Sequence, residues 1–237
     1  MNVIDTGDFC PEAVIVGGGD YPRHPLPLRM LHAARYVVCC DGATFAYTEH
    51  EGCRPWRVVG DGDSLSIDYK TLNADIVRIV REQEDNDQTK AVRYCLQHGL
   101  RRIALVGATG GREDHTLGNI SLCLEYMHWG LDVRIYTDHG VFVPCNGDVT
   151  CRMRVPRDYK MPDYDGNGSV TEACEDPSRS KSQQLSVFNF SAHDMSAVGL
   201  KYPLRDFTSW WQGTLNEATA ETVSIHGDGD FMIYICY

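Results

Sequence analysis

Six short apolar runs punctuate the first 140 residues: Ala13–Val16, Tyr36–Cys40, Arg57–Val59, Asp75–Val80, Arg101–Val106 and Val133–Tyr136. Several are β-branched and most end at Gly or Asp, the signature of short strands. The stretches between them carry helical periodicity. Asp87–His98 places Ala91, Val92, Cys95 and Leu96 on one face, and His115–Trp129 spaces Leu117, Ile120, Leu124 and Met127 at helical intervals. Strands alternating with helices predict an α/β fold, a parallel sheet flanked by helices, over residues 1–140.

From about Val141 the pattern changes. Val141–Cys145, Thr150–Val155, Leu185–Phe190, Ala197–Leu200, Thr222–Ile225 and Phe231–Cys236 read as strands with no long helical pattern between them. Residues 141–237 are therefore expected to form an all-β sandwich domain. Within it, residues 157–183 are rich in Asp, Gly, Pro, Ser and Lys and read as a mobile loop. Asp163–Gly168 (DYDGNG) matches the start of a calcium loop, but the twelfth position is Cys174 rather than Glu, so a solvated turn is the expectation.

Charge narrows the function. Asp and Glu number 33 against 22 Lys and Arg, a net charge of −11, which opposes binding to nucleic acid or to a membrane surface. No apolar run is long enough to span a bilayer, and the N-terminal segment has no basic leader, so a cytoplasmic location is expected. The ten cysteines are scattered without a C-x-x-C pair and read as reduced, mostly buried thiols.

Phosphate motifs are incomplete. Gly17-Gly18-Gly19 follows the first α/β-type strand, but a G-x-G-x-x-G pattern would end at Pro22, and no G-K-[ST] occurs. The three glycines fit either an anion-binding nest or a tight turn. The stronger signal is acids placed just after strands: Asp41, then Asp61 and Asp63, then Asp85 and Asp87, then Asp114. Loops that follow parallel strands open on one edge of the sheet, where ligands bind. Carboxylates crowded there need a cation among them, and Mg²⁺ bridging to substrate phosphates suits an acidic protein. The alternation at Asp61 and Asp63 points both side chains the same way in an extended segment. Asp87 and Asp114 are also placed to cap the helices they precede. Arg112, among glycines, is the cation suited to phosphate, and His115 is either acid–base apparatus or a first-turn residue.

Taken together, Cys40-Asp41-Gly42-Ala43, Gly60-Asp61-Gly62-Asp63-Ser64, Glu84-Asp85-Asn86-Asp87 and Gly107-Ala108-Thr109-Gly110-Gly111-Arg112-Glu113-Asp114-His115 resemble the thiamine pyrophosphokinase family. Gly199–Leu204 and Gly213–Glu217 resemble its C-terminal segments. The resemblance implies an α/β domain followed by a β-sandwich, a homodimer with thiamine between subunits, and Mg²⁺-dependent pyrophosphoryl transfer from ATP to thiamine. It places Asp41, Asp61, Asp63 and Asp87 on the catalytic acids, with Asp61, Asp63 and Asp87 holding metal. It places Gln83, Thr109, Arg112, Asp114, His115 and Asn216 on nucleotide or thiamine contacts. Three positions depart from the family pattern: Glu84 stands where Asp is usual, keeping the charge, Asn86 where Thr is usual, and Leu215 where Ser is usual. Trp210, Trp211 and Tyr202 are candidate platforms for the pyrimidine, or β-domain packing. Two other functions fit the same motifs: a non-catalytic thiamine or nucleotide sensor, and a pyrophosphokinase for another hydroxyl-bearing acceptor.

Overall fold

A computed structural model describes residues 2–155 and 182–237. The calcium-loop-like Asp163–Gly168 and nearly all of the 157–183 loop lie outside the described residues. In chain order the strands are β1 (Asn2–Ile4), β2 (Ala13–Val16), β3 (Tyr36–Cys40), β4 (Arg57–Gly60), β5 (Val77–Ile79), β6 (Arg102–Val106), β7 (Asp132–Tyr136), β8 (Gly140–Asn146), β9 (Val149–Arg152), β10 (Gln184–Asn189), β11 (His193–Val198), β12 (Asn216–Glu217), β13 (Thr222–Asp228) and β14 (Asp230–Cys236). The helices are α1 (Pro25–Ala33), α2 (Ala43–Glu51), α3 (Ile67–Leu72), α4 (Asp87–Gln97) and α5 (Glu113–His128). Two compact units result: Gly7–Pro144, and Met1–Thr6 with Cys145–Tyr237.

In the first unit the parallel strands lie in the order β7-β6-β2-β3-β4-β5, with β8 antiparallel beside β7. The chain steps from β2 out to β5, then returns to β6 on the other side of β2. All four residues of β2 are at most 1% exposed, as are Ile103–Val106 of β6. Continuous apolar strands of this kind belong to a sheet covered on both faces. Helix α4 starts because Asn86 accepts a hydrogen bond from the Thr89 N–H at 2.9 Å, and it buries Ala91, Val92 and Cys95. In α5 the buried residues are Cys123, Leu124 and Tyr126, whereas Leu117 is 55% exposed. The expected apolar face therefore starts late, because the first turns of α5 border a cleft rather than the sheet.

The second unit is strand-rich. β1, β9, β13 and β11 form one four-stranded sheet, in which β1 runs parallel to β9. β10 pairs antiparallel with β14 and with β12. β11 begins earlier than the apolar run Ala197–Leu200, and a register shift between His193 and Ser196 hides its alternation. Every cysteine among the described residues is free, and Cys39, Cys40, Cys95, Cys123, Cys145 and Cys151 are buried. Among the described residues no helix is long and apolar enough to cross a membrane.

Candidate active site

The carboxyl edge of the parallel strands collects three of the expected acids. β3 ends at Cys40, and Asp41 turns out of it with a φ of 38°. Left-handed backbone at a non-glycine residue is held only by its surroundings. Here the Asp41 N–H donates to the Val59 carbonyl at 3.0 Å, and the Ser64 N–H donates to Asp41 Oδ2 at 2.8 Å. Asp41 is 4% exposed, and its Oδ1 is buried with no hydrogen-bond partner. Asp61 follows β4, and Asp87 is the first residue of α4. Asp41, Asp61 and Asp87 each offer an oxygen within 4.8 Å of the others. Gly60 makes this approach possible, since a Cβ there would lie 2.8 Å from Asp41 Cβ and 3.2 Å from Asp87 Cγ.

Crowding shows in the electrostatics. Burial pushes the Asp87 carboxyl above its ordinary range, and Asp61 and Asp41 push it the same way. Lys90 opposes them: its side chain is 3% exposed and its Nζ lies 3.5 Å from Asp87 Oδ1. One ammonium against three carboxylates leaves the cluster negative. A hard-oxygen set with a donorless buried oxygen fits a Mg²⁺-type cation, which takes few carboxylates and keeps room for phosphates and water.

Asp63 does not join this group. Gly62, at a φ of 84°, turns the chain between Asp61 and Asp63, so the segment is not extended. The Asp63 N–H instead donates to Asp61 Oδ1 at 3.0 Å, and its own side chain is exposed. Asp87 and Asp114 are not N-caps either, because those positions belong to Asn86 and Arg112.

The triad opens into a cleft of about 780 Å³, which Gln83, Glu84, Asp85, Lys90, His115 and Asn119 also line. Thr109 borders a separate cavity of about 90 Å³, and its carbonyl accepts the Asp20 N–H at 2.9 Å. Arg112 and Asp114 pair with each other, Nε to Oδ1 at 3.0 Å, and neither lines the cleft. That pairing holds the Asp114 carboxyl down at about 2. The glycine turn after β2 gives three of its donors to protein: the Gly17, Gly19 and Asp20 N–H groups reach the carbonyls of Val106, Gly107 and Thr109. It is a tight turn buttressed by its neighbour rather than an open anion nest.

Lys90, Asn119 and Tyr21 were not singled out from the sequence. Lys90 carried a signal, its i,i+3 spacing from Asp87. Asn119 joins two loops: the Asn86 Nδ2 donates to Asn119 Oδ1 at 3.0 Å, and Asn119 Nδ2 donates to the Ala108 carbonyl at 2.8 Å.

Asn216 belongs to the strand-rich unit, where it is buried. Its Oδ1 accepts the Tyr202 N–H at 3.0 Å, and its Nδ2 donates to the Tyr202 carbonyl at 2.8 Å. It thereby clamps the 199–204 segment to the 213–217 segment. Beside this clamp, Trp211 and Leu215 are 73% and 72% exposed, and Leu215 has a φ of 59°. Trp210 is better anchored, its Nε1 donating to the Asn189 carbonyl at 3.1 Å.

Fold and site thus define a two-unit protein, one unit α/β with a carboxylate cleft on the carboxyl edge of its parallel strands, the other strand-rich. Residues 28–135 match the catalytic domain of thiamin pyrophosphokinase, and residues 172–234 match the substrate-binding domain of the same family. The chain belongs to the thiamin pyrophosphokinase family. Solved structures of similar fold include thiamin pyrophosphokinase from Candida albicans, with a TM-score of 0.70 at 18% identity over 99% of this chain and 92% of that one. The yeast enzyme gives 0.69 at 13% identity, covering 99% and 90%. Thiamine pyrophosphokinase from Bacillus subtilis gives 0.66 at 19% identity, covering 94% and 97%. At these identities the likeness is one of fold. A search of curated protein sequences gave no match.

Proposed function

We propose that the protein transfers pyrophosphate from ATP to the hydroxyl of thiamine, giving thiamine diphosphate and AMP. The observation that carries this reading is the convergence of Asp41, Asp61 and Asp87, with Asp41 Oδ1 buried and donorless. Asp61 and Asp87 would hold Mg²⁺, with Asp41 in reach of the same ion, and the ion would neutralise charge on the phosphate oxygens as the transfer proceeds. The acceptor oxygen forms its bond to the β-phosphorus as the bond to the AMP oxygen breaks. The hydroxyl proton passes to Asp41, and Lys90 keeps Asp87 ionised while this happens. Arg112 leaves Asp114 to steady the polyphosphate, which an exposed pair allows at small cost. On the strand-rich unit, exposed Trp211 and Tyr202 support a platform for the pyrimidine ring. The same exposed apolar surface supports a homodimer in which thiamine lies between subunits.

The test is AMP release from ATP and thiamine with Mg²⁺. Asp61→Asn and Asp87→Asn are expected to lower turnover on the order of 100-fold or more, the scale for removing a charge-stabilising group. Turnover like that of the wild type would overturn the assignment. ADP as the product would exclude pyrophosphoryl transfer. Tight thiamine binding without turnover would favour a sensor.

A further inference from the structure

The cleft is lined by more than acids. Tyr21, Gly17–Gly19 and the methyl groups of Ala43 and Ala46 from α2 also border it. β2, β3 and β4 are successive neighbours in the sheet. Neighbouring strands lie about 4.8 Å apart, so the turn after β2 stands roughly 10 Å from Asp61 after β4. β2 and β6 also flank the point where the strand order reverses, and open parallel sheets take their ligands in the crevice at such a point.

Tyr21 is held on several sides. Its hydroxyl donates to Glu51 Oε1 at 2.8 Å, and His32 takes Glu51 Oε2 at 2.9 Å. The His50 ring stacks on Tyr21 with centroids 4.3 Å apart and planes 12° from parallel. A ring so fixed loses little freedom when a ligand packs on it. Gly17 and Gly19 in the wall beside it are held to glycine because their Cα atoms press on the neighbouring 107–109 main chain. A Cβ at Gly17 would lie 2.5 Å from the Gly107 carbonyl oxygen, and one at Gly19 would lie 2.1 Å from that of Thr109. The aromatic ring and the main-chain wall suit a flat, weakly polar group better than the carboxylates do.

We propose, resting on the transfer reading above, that the purine base of the nucleotide packs against Tyr21 while its phosphates extend toward Asp61 and Asp87. Tyr21 is then a specificity residue for the donor, fixed by His50 and Glu51.

The test compares wild type with Tyr21→Phe, which keeps the ring, and Tyr21→Leu, which removes it. In the AMP-release assay Tyr21→Leu should raise the KM for ATP about tenfold, the scale of a lost aromatic stack. The KM for thiamine should stay within about twofold, and Tyr21→Phe should fall between the two proteins. Adenosine should compete with ATP on the wild type and lose that competition in Tyr21→Leu, while inorganic tripolyphosphate should inhibit both equally. A rise in the thiamine KM instead, or adenosine acting alike on both proteins, would overturn the assignment. Calorimetry with adenosine separates the two readings. Tyr21-dependent binding without AMP release by the wild type would sink the transfer reading and leave the base site standing.

Discussion

Two segments on the carboxyl edge of the parallel strands hold their charges in different ways. After β3 and β4, Asp41 and Asp61 project from the last rungs of the sheet. Asp41 is locked there by the Ser64 N–H and by the ladder bond to Val59. After β6, Gly110 and Gly111 turn the chain through left-handed backbone with φ values of 82° and 81°, and Arg112 satisfies itself on Asp114 two residues away. The first segment leaves an oxygen buried and donorless; the second leaves its ion pair in water. Charge fixed by a strand end is costly and directional, whereas charge on a glycine loop is cheap and can be redeployed.

The largest expected effect comes from breaking the rigid segment. Gly60→Ala places a methyl within 2.8 Å of Asp41 Cβ. Overpacking of this kind costs about 1–3 kcal/mol, so the melting temperature should fall. The displaced acids should also lower AMP release on the order of 100-fold. Full activity in a stable Gly60→Ala protein would show that the spacing of the triad is not critical.

Next, Arg112→Ala tests whether the second segment is redeployed. It should raise the KM for ATP about tenfold, as for a lost charge-assisted hydrogen bond, and leave the melting temperature unchanged. A lowered melting temperature with an unchanged KM would make Arg112 structural.

Asn86→Thr probes the link between the two segments. Threonine still caps α4 but is too short to donate to Asn119. About a threefold rise in the KM for ATP is expected, with faster amide exchange at 107–111, while Asn86→Ala should lose stability as well. If Asn86→Thr and wild type exchange alike, the bridge to Ala108 does not restrain the loop.

The smallest effect concerns acid stability at the opposite edge. Glu12 accepts hydrogen bonds from the Arg101 and Arg102 N–H groups, and these hold its carboxyl below the ordinary range. The group therefore adds stability above its unfolded value, about 4.5, and loses that contribution as pH falls through its lower folded value. In Glu12→Gln the melting temperature should fall slightly less steeply between pH 5 and 3 than in wild type. Parallel curves would remove Glu12 from the account.

How much of this was legible depended on what each segment buries. β2, β3 and β6 were plain because strands covered on both faces are apolar throughout. α4 was plain because Ala91, Val92 and Cys95 recur at helical spacing. α3 was hidden because none of its residues is buried, so no periodicity marks it. α1 was hidden behind Pro25 and Pro27. β1 has three residues, and its partner β9 lies far along the chain, so nothing local marks it. In the site, placement after strands located Asp41, Asp61 and Asp87. Asp63 was drawn in by assuming an extended chain across Gly62, where the backbone turns instead. Lys90 was overlooked because a charged residue on a helix normally faces solvent, and here an acid cluster draws it inward.

The glycines that follow β2 and β6 press on one another from both sides. A Cβ at Gly107 would lie 2.7 Å from the Gly17 carbonyl oxygen, just as one at Gly17 would strike Gly107. Neither position can therefore vary alone. The obstacle at each is the other's main chain, so substituting both together relieves neither contact, and the pair ties the carboxyl ends of β2 and β6 to one fixed separation.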